Sequence, residues 1–151
     1  MQTGEDKEDS WCGKYQKILE TKNRSMSSCI INEASPWFKT LTPRTQMVLG
    51  NALSENPDIC YCDVYQSMQR EFTSKDAMVV STICPGSIIW SIRHKRPILG
   101  AECLMIQGMP PSIVEIGLQE FSDSNLMDLA GNMFTGMAYA ACAILRQLLK
   151  D

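Results

Sequence analysis

Two groups of residues stand out for their chemistry: a basic run, Arg93-His94-Lys95-Arg96, and seven cysteines, Cys12, Cys29, Cys60, Cys62, Cys84, Cys103 and Cys142. Neighbouring cationic side chains neutralise phosphates, which adds salt-dependent affinity without reading base sequence. Arg93, Lys95 and Arg96 are therefore candidate contacts to double-stranded DNA; the competing reading is a solvated surface loop with Arg96 in a structural ion pair. Thiolates are nucleophiles and metal ligands. Cys60-Tyr61-Cys62 supplies half of a zinc site, but no second cysteine pair or nearby histidine completes four ligands, and the single His94 lies far along the chain, so no metal is expected. The odd cysteine count and the charged residues at 1–10, where a signal peptide would be apolar, point to a reduced, intracellular protein.

Such groups act only when a packed core positions them. A length of 151 residues, 44% hydrophobic and 21% charged, suffices for one ordinary domain. The net charge of −3 gives no overall attraction to phosphate, which leaves local clusters as the route to DNA. The longest apolar run, 133–145, is interrupted by Thr135, Gly136 and Tyr139 and falls short of the roughly 20 residues a membrane span needs, so a soluble chain is expected.

Residues 1–10 carry five charges and almost no apolar side chains, the composition of a disordered tail. A short helix is expected over 14–22 and a polar loop over 22–28. Thr42-Pro43 is a helix start, because Thr caps free amides and Pro needs no N–H partner in the first turn; the helix ends near Asn56-Pro57. Residues 59–65 are expected to be extended. The β-branched run 78–83 predicts a strand ending at the turn Cys84-Pro85-Gly86-Ser87 and resuming at 88–90. A two-turn helix over 99–106 is stopped by Gln107-Gly108 and Pro110-Pro111. Residues 113–118 suit either strand or helix. Ser122, Asp123 and Ser124 then cap a helix through Leu129, broken or bent at Gly131. Phe134, Met137, Ala138, Ala141, Ile144, Leu145 and Leu148 have the three-and-four spacing of an amphipathic C-terminal helix. The fold class is mixed α/β, short strands plus a long C-terminal helix.

Arg96-Pro97-Ile98-Leu99-Gly100, with Glu102 shortly after and Gln107-Gly108-Met109-Pro110 at the close, resembles the ninth conserved motif of the DNA cytosine-5 methyltransferases. That motif runs from an Arg and a Leu through a helix with an early Glu to Leu-Gln-Gly-Phe-Pro. About 20 residues on, Leu129-Ala130-Gly131-Asn132-Met133-Phe134 resembles the tenth motif, a Gly-Asn turn opening the last helix. Residues 82–90 are similar to the connector before the ninth motif in some members. The resemblance covers about 55 residues, and about 70 with the connector. It divides the chain into the tail 1–10, a region 11–95 expected at the target-recognition edge, and a methyltransferase-like segment 96–151, together a partial methyltransferase fold.

Members of that family flip cytosine out of the duplex, attack C6 with a cysteine thiolate, and transfer a methyl group from S-adenosyl-L-methionine to C5. This chain has no Pro-Cys-Gln nucleophile, no Glu-Asn-Val triplet and no Phe-x-Gly-x-Gly cofactor loop; Cys84-Pro85 carries the nucleophile pair in reverse order. The resemblance therefore implies a C-terminal segment active only when a catalytic half completes it, and nuclear if the source is eukaryotic. The alternative is a non-catalytic DNA- or protein-binding remnant of the fold. By resemblance Gly131, Asn132 and Met133 line the cofactor, while Glu102, Gln107, Gly108 and Pro110 are structural. Met133 stands where members have a small residue, and Met109 where they have Phe. Read from the residues themselves, Glu102 is a favourable charge near a helix N-terminus, Asn132 a residue tolerating a left-handed turn, and Gln107 a closer of a backbone turn.

Overall fold

The computed structural model describes residues 4–31, 35–70 and 72–133. Among them are six α-helices, one 3-10 turn and a four-stranded antiparallel sheet, so the fold is mixed α/β. The chain divides into two compact units: Met1–Ser81 with Ile88–Pro97, and Thr82–Ser87 with Ile98–Asp151.

The first unit opens with α1 (Gly4–Thr21) and a 3-10 turn (Met26–Cys29). The helix expected over 14–22 thus begins at Gly4 and takes in most of the segment expected as a tail. Tyr15 and Leu19, one turn apart, are buried against Cys29, Val48 and Met68. Burial of that stripe anchors the helix, and propagation into preceding turns costs far less than nucleation. Next come α2 (Pro36–Thr40) and α3 (Pro43–Glu55). At the start of α3, Thr42 Oγ1 accepts the Thr45 amide at 3.3 Å, the cap that the sequence announces. Within α3, Gly50 is pressed against the Cys29 carbonyl; a Cβ there would lie 2.7 Å from Cys29 C.

The sheet consists of β1 (Tyr61–Asp63), β2 (Phe72–Ser74), β3 (Ile89–Ser91) and β4 (Arg96–Pro97), in the order β2-β1-β3-β4. Cys62 pairs with Thr73 on one side and Trp90 on the other. Trp90, Val64, Ile59, Leu49 and Phe38 form the core beside it, with the Trp90 and Phe38 rings edge to face at 6.2 Å. The strand expected at 78–83 does not form. Asp76 turns the chain there, its carboxylate accepting the Met78 amide at 2.8 Å, and Met78 is 90% exposed. Beside β1 the places are taken by β2 and β3, and β-branched residues that pair with no strand remain loop.

In the second unit, Cys84-Pro85-Gly86-Ser87 form the expected turn. Ser87 N donates to Cys84 O at 3.0 Å and Gly86 takes φ +73°, which Pro85-Gly86 suits. Three helices follow: α4 (Gly100–Ile106), α5 (Pro111–Glu120) and α6 (Asp123–Asn132). The choice left open at 113–118 is settled as helix, with Pro111 in the first turn and Val114 buried. Ser122 caps α6, accepting the Asn125 amide at 3.3 Å. This helix runs through Gly131 rather than breaking there. The C-terminal helix expected from Phe134 onward lies outside the described residues. No helix among those described is long and apolar enough to cross a membrane.

Candidate functional site

The start of α4 is held by two carboxylates. Leu99 N donates to Glu102 Oε2 at 2.8 Å, and Gly100 N donates to Asp123 Oδ1 at 2.7 Å. Amides at a helix start have no partner within the helix, and negative charge complements its dipole, so both contacts are stabilising. Glu102 therefore works as a cap. Gly100 also lets α6 come close: a Cβ would lie 2.5 Å from Met127 N and 2.8 Å from Leu126 Cβ.

At the far end of α4 the side-chain amide of Gln107 donates to Ala130 O at 3.4 Å, tying the two helices a second time. Gly108, at φ +90°, reverses the chain, and Met109 N returns a bond to Leu104 O at 3.0 Å. Pro110 is extended and leads directly into α5. Gln107 thus does more than close its own turn.

Gly131 sits in the last turn of α6, where a Cβ would collide with the Cys84-Pro85 backbone and lie 2.6 Å from Pro85 Cδ. Neither Gly131 nor Asn132 has positive φ, so the expected left-handed turn is replaced by helix. Asn132 Nδ2 donates to Asp128 O at 2.9 Å, one turn back. Met133, half-buried, leaves the helix at φ −79°, ψ 142°. In the described residues the Gly-Asn pair therefore closes a helix.

Cys103 is buried in α4. Burial first, then the Asp123 and Glu102 carboxylates, push its thiol up to about 12. It stays protonated near neutrality and is no nucleophile. Cys84, by contrast, is exposed in the turn before Pro85.

The basic run lies in the first unit, on the hairpin of β3 and β4, where Ser91 pairs with Arg96. Its tip, 92–95, leaves Arg93, His94 and Lys95 exposed, with Lys95 at φ 52°. The tip is pinned: Ser35 Oγ donates to Lys95 O at 2.6 Å, and Ser91 Oγ shares a 3.0 Å hydrogen bond with His94 Nδ1. Arg96 is half-buried and its guanidinium donates to Pro97 O at 2.9 Å.

The candidate residues thus fall into two sets. Arg93, Lys95 and Arg96 share one hairpin; Glu102, Gln107, Gly108, Pro110, Gly131, Asn132 and Met133 belong to the second unit, where α4 and α6 lie side by side. Sequence reasoning missed the bond from Gly100 to Asp123 and the approach of Pro85 to Gly131. The available signal was a glycine inside each helical segment, which costs stability unless close packing requires it.

No known protein-family profile matches the chain. Over 76 residues, 50% of its length, it is 32% identical to the DNA (cytosine-5-)-methyltransferase DMT5 of Cryptococcus neoformans var. grubii. The chain is distantly related to a DNA cytosine-5-methyltransferase. Its match spans 3% of that relative's length, and the α/β architecture is compatible with part of a methyltransferase-like fold.

Proposed function

We propose that the chain is a C-terminal segment of a DNA cytosine-5-methyltransferase-like protein, contributing to methyl transfer from S-adenosylmethionine to C5 of cytosine once a catalytic half completes it. The observation that carries this reading is the joining of α4 to α6. The residues that resemble the ninth motif and those that resemble the tenth are linked by the Gln107 to Ala130 bond. The distant relationship to a cytosine methyltransferase supports the same reading.

In this proposal Arg93, Lys95 and Arg96 contact the phosphates of double-stranded DNA, and the protein works inside the cell, in the nucleus of a eukaryote. S-adenosylmethionine supplies the methyl group, and Gly131, Asn132 and Met133 line its methionine end. The fit of these three is partial. The space beside Gly131 is filled by Cys84-Pro85, and the Asn132 amide is engaged by Asp128 O, leaving its exposed Oδ1 for a ligand. The catalytic half must supply the nucleophile and the rest of the cofactor site. The filled space at Gly131 also favours a second reading, a non-catalytic DNA- or protein-binding remnant.

Mixing the chain with a polypeptide that bears the Pro-Cys-Gln motif and the glycine-rich loop, and measuring methyl incorporation into DNA, separates the two. Incorporation that requires both components is expected. Salt-dependent DNA binding with neither cofactor binding nor methylation would establish the second reading instead.

A further inference from the structure

Between Arg96 and Arg146 the sequence holds no lysine, arginine or histidine, against Glu102, Glu115, Glu120, Asp123 and Asp128. The described residues of the second unit therefore carry acidic side chains and no basic one, and on α5 the exposed charges are Glu115 and Glu120. This helix is inverted relative to an ordinary amphipathic helix: it buries Val114 but leaves Ile116 59% exposed, Ile113 50% exposed, and Phe121 just beyond its end 54% exposed. These side chains, with Met109, Gly117 and Leu129, border an apolar groove of about 170 Å³. An apolar groove continuous with exposed Ile113, Ile116 and Phe121 offers a seat for an apolar side chain.

The charge says what covers it. We propose that this groove docks a basic amphipathic segment of a partner protein, with one large apolar side chain seated in the groove and flanking Lys or Arg side chains set against Glu115 and Glu120. Ile113, Ile116 and Glu120 follow one another at three- and four-residue spacing, so the apolar stripe runs directly into negative charge. A second copy of the chain docking by the same face would bring acid against acid, and a nucleic acid would be repelled. An anchor in a pocket with charged flanks is the usual distribution of binding energy in such grooves.

The test titrates the full chain into a fluorescently labelled helical peptide of leucines and lysines. Two controls accompany it, one with serine replacing leucine and one with glutamate replacing lysine. Binding of the first peptide is expected, weakened at least about tenfold by Ile116→Asp and by the double substitution Glu115→Lys with Glu120→Lys, and at least about tenfold stronger than to either control. The charge reversals lie at exposed helical positions and carry the test even if Ile116→Asp disturbs folding, which circular dichroism reports. Equal binding by the charge-reversed chain, equal binding of the glutamate peptide, or no binding overturns the proposal. So does a concentration-dependent dimer abolished by Ile116→Asp, which would make a second copy the occupant.

Discussion

Gly131 and Pro85 are packed backbone against backbone: the position a side chain would take at Gly131 is already occupied by the Cys84-Pro85 peptide. Glycine within a helix costs roughly 1 kcal/mol relative to alanine, so a glycine held there by packing is recognised by the sign of its substitution. Gly131→Ala is expected to lower stability by about 1–3 kcal/mol, because backbone atoms cannot yield as a flexible side chain would. Gly13→Ala, in α1 with no atom near its missing Cβ, is expected to raise stability by up to about 1 kcal/mol. Urea unfolding of both variants checks the contrast. The same sign at both positions would mean that the contact at Pro85 does not constrain α6.

The two caps of α4 yield a second expectation. Removing the acceptor from the Gly100 amide by Asp123→Ala, or from the Leu99 amide by Glu102→Ala, should each cost about 0.5–2 kcal/mol. Asp123→Asn and Glu102→Gln keep an oxygen in place and should lose less. If instead Glu102→Gln were silent for stability yet abolished activity in a completed enzyme, the glutamate would be acting on substrate and not as a cap.

What could be read beforehand, and what could not, follows from the range over which each feature is determined. Thr42-Pro43, Pro85-Gly86 and Gln107-Gly108 are local instructions, set by caps, fixed φ and positive φ, and all three appear where the sequence puts them. The strand expected at 78–83 is different. Its residues are good strand formers, but a strand exists only with a partner, and Phe72–Ser74 holds that place on β1. Gly131 read as a breaker for the same reason: propensity is a weak prior, and only tertiary contact shows the glycine serving an approach of Pro85. The candidate site was legible as a set of residues; its geometry, above all the bond from Asp123 to Gly100 N, was not.

Asp63 on β1 provides a pH test. Burial raises its carboxyl pKa above the ordinary 3.8, while the Tyr65 amide, donating to Oδ1 at 3.1 Å, opposes the rise. A raised value means that the folded state holds its proton to higher pH than the unfolded state. Stability is therefore lost through this group as pH rises from about 3.8 through the folded value, and the loss is complete above it. Asp63→Asn keeps the acceptor for Tyr65 and removes the titration. The stability difference between variant and parent should move in favour of the variant over that window and then level off. A difference moving the other way would mean that hydrogen bonding outweighs burial at Asp63.

Thiol labelling tests the environment of α4. Cys103, buried and pushed up to about 12, should resist iodoacetamide in the native chain at pH 8, while exposed Cys84 reacts. Because the Asp123 carboxylate contributes to that rise, Asp123→Asn should speed any labelling of Cys103 and leave Cys84 unchanged. Peptide mass mapping reads both sites in one sample. Rapid native labelling of Cys103 would contradict the burial of the α4 face that carries it.

The hairpin tip is where the proposed DNA contact is decided. Phosphate contacts contribute about 0.9 each to the slope of log affinity against log salt on duplex DNA. Arg93→Ala and Lys95→Ala should each reduce that slope by about 0.9, and equally for any DNA sequence, because phosphate contacts carry no base information. Arg96 differs, since its guanidinium also donates to Pro97 O and its loss disturbs the hairpin as well as the charge. Arg96→Lys therefore separates the two effects, keeping the cation while breaking the bond. Fluorescence anisotropy at several salt concentrations measures all three. An unchanged slope in Arg93→Ala and Lys95→Ala would leave the tip as a solvated turn, pinned by Ser35 and Ser91 for the sake of the sheet rather than for DNA.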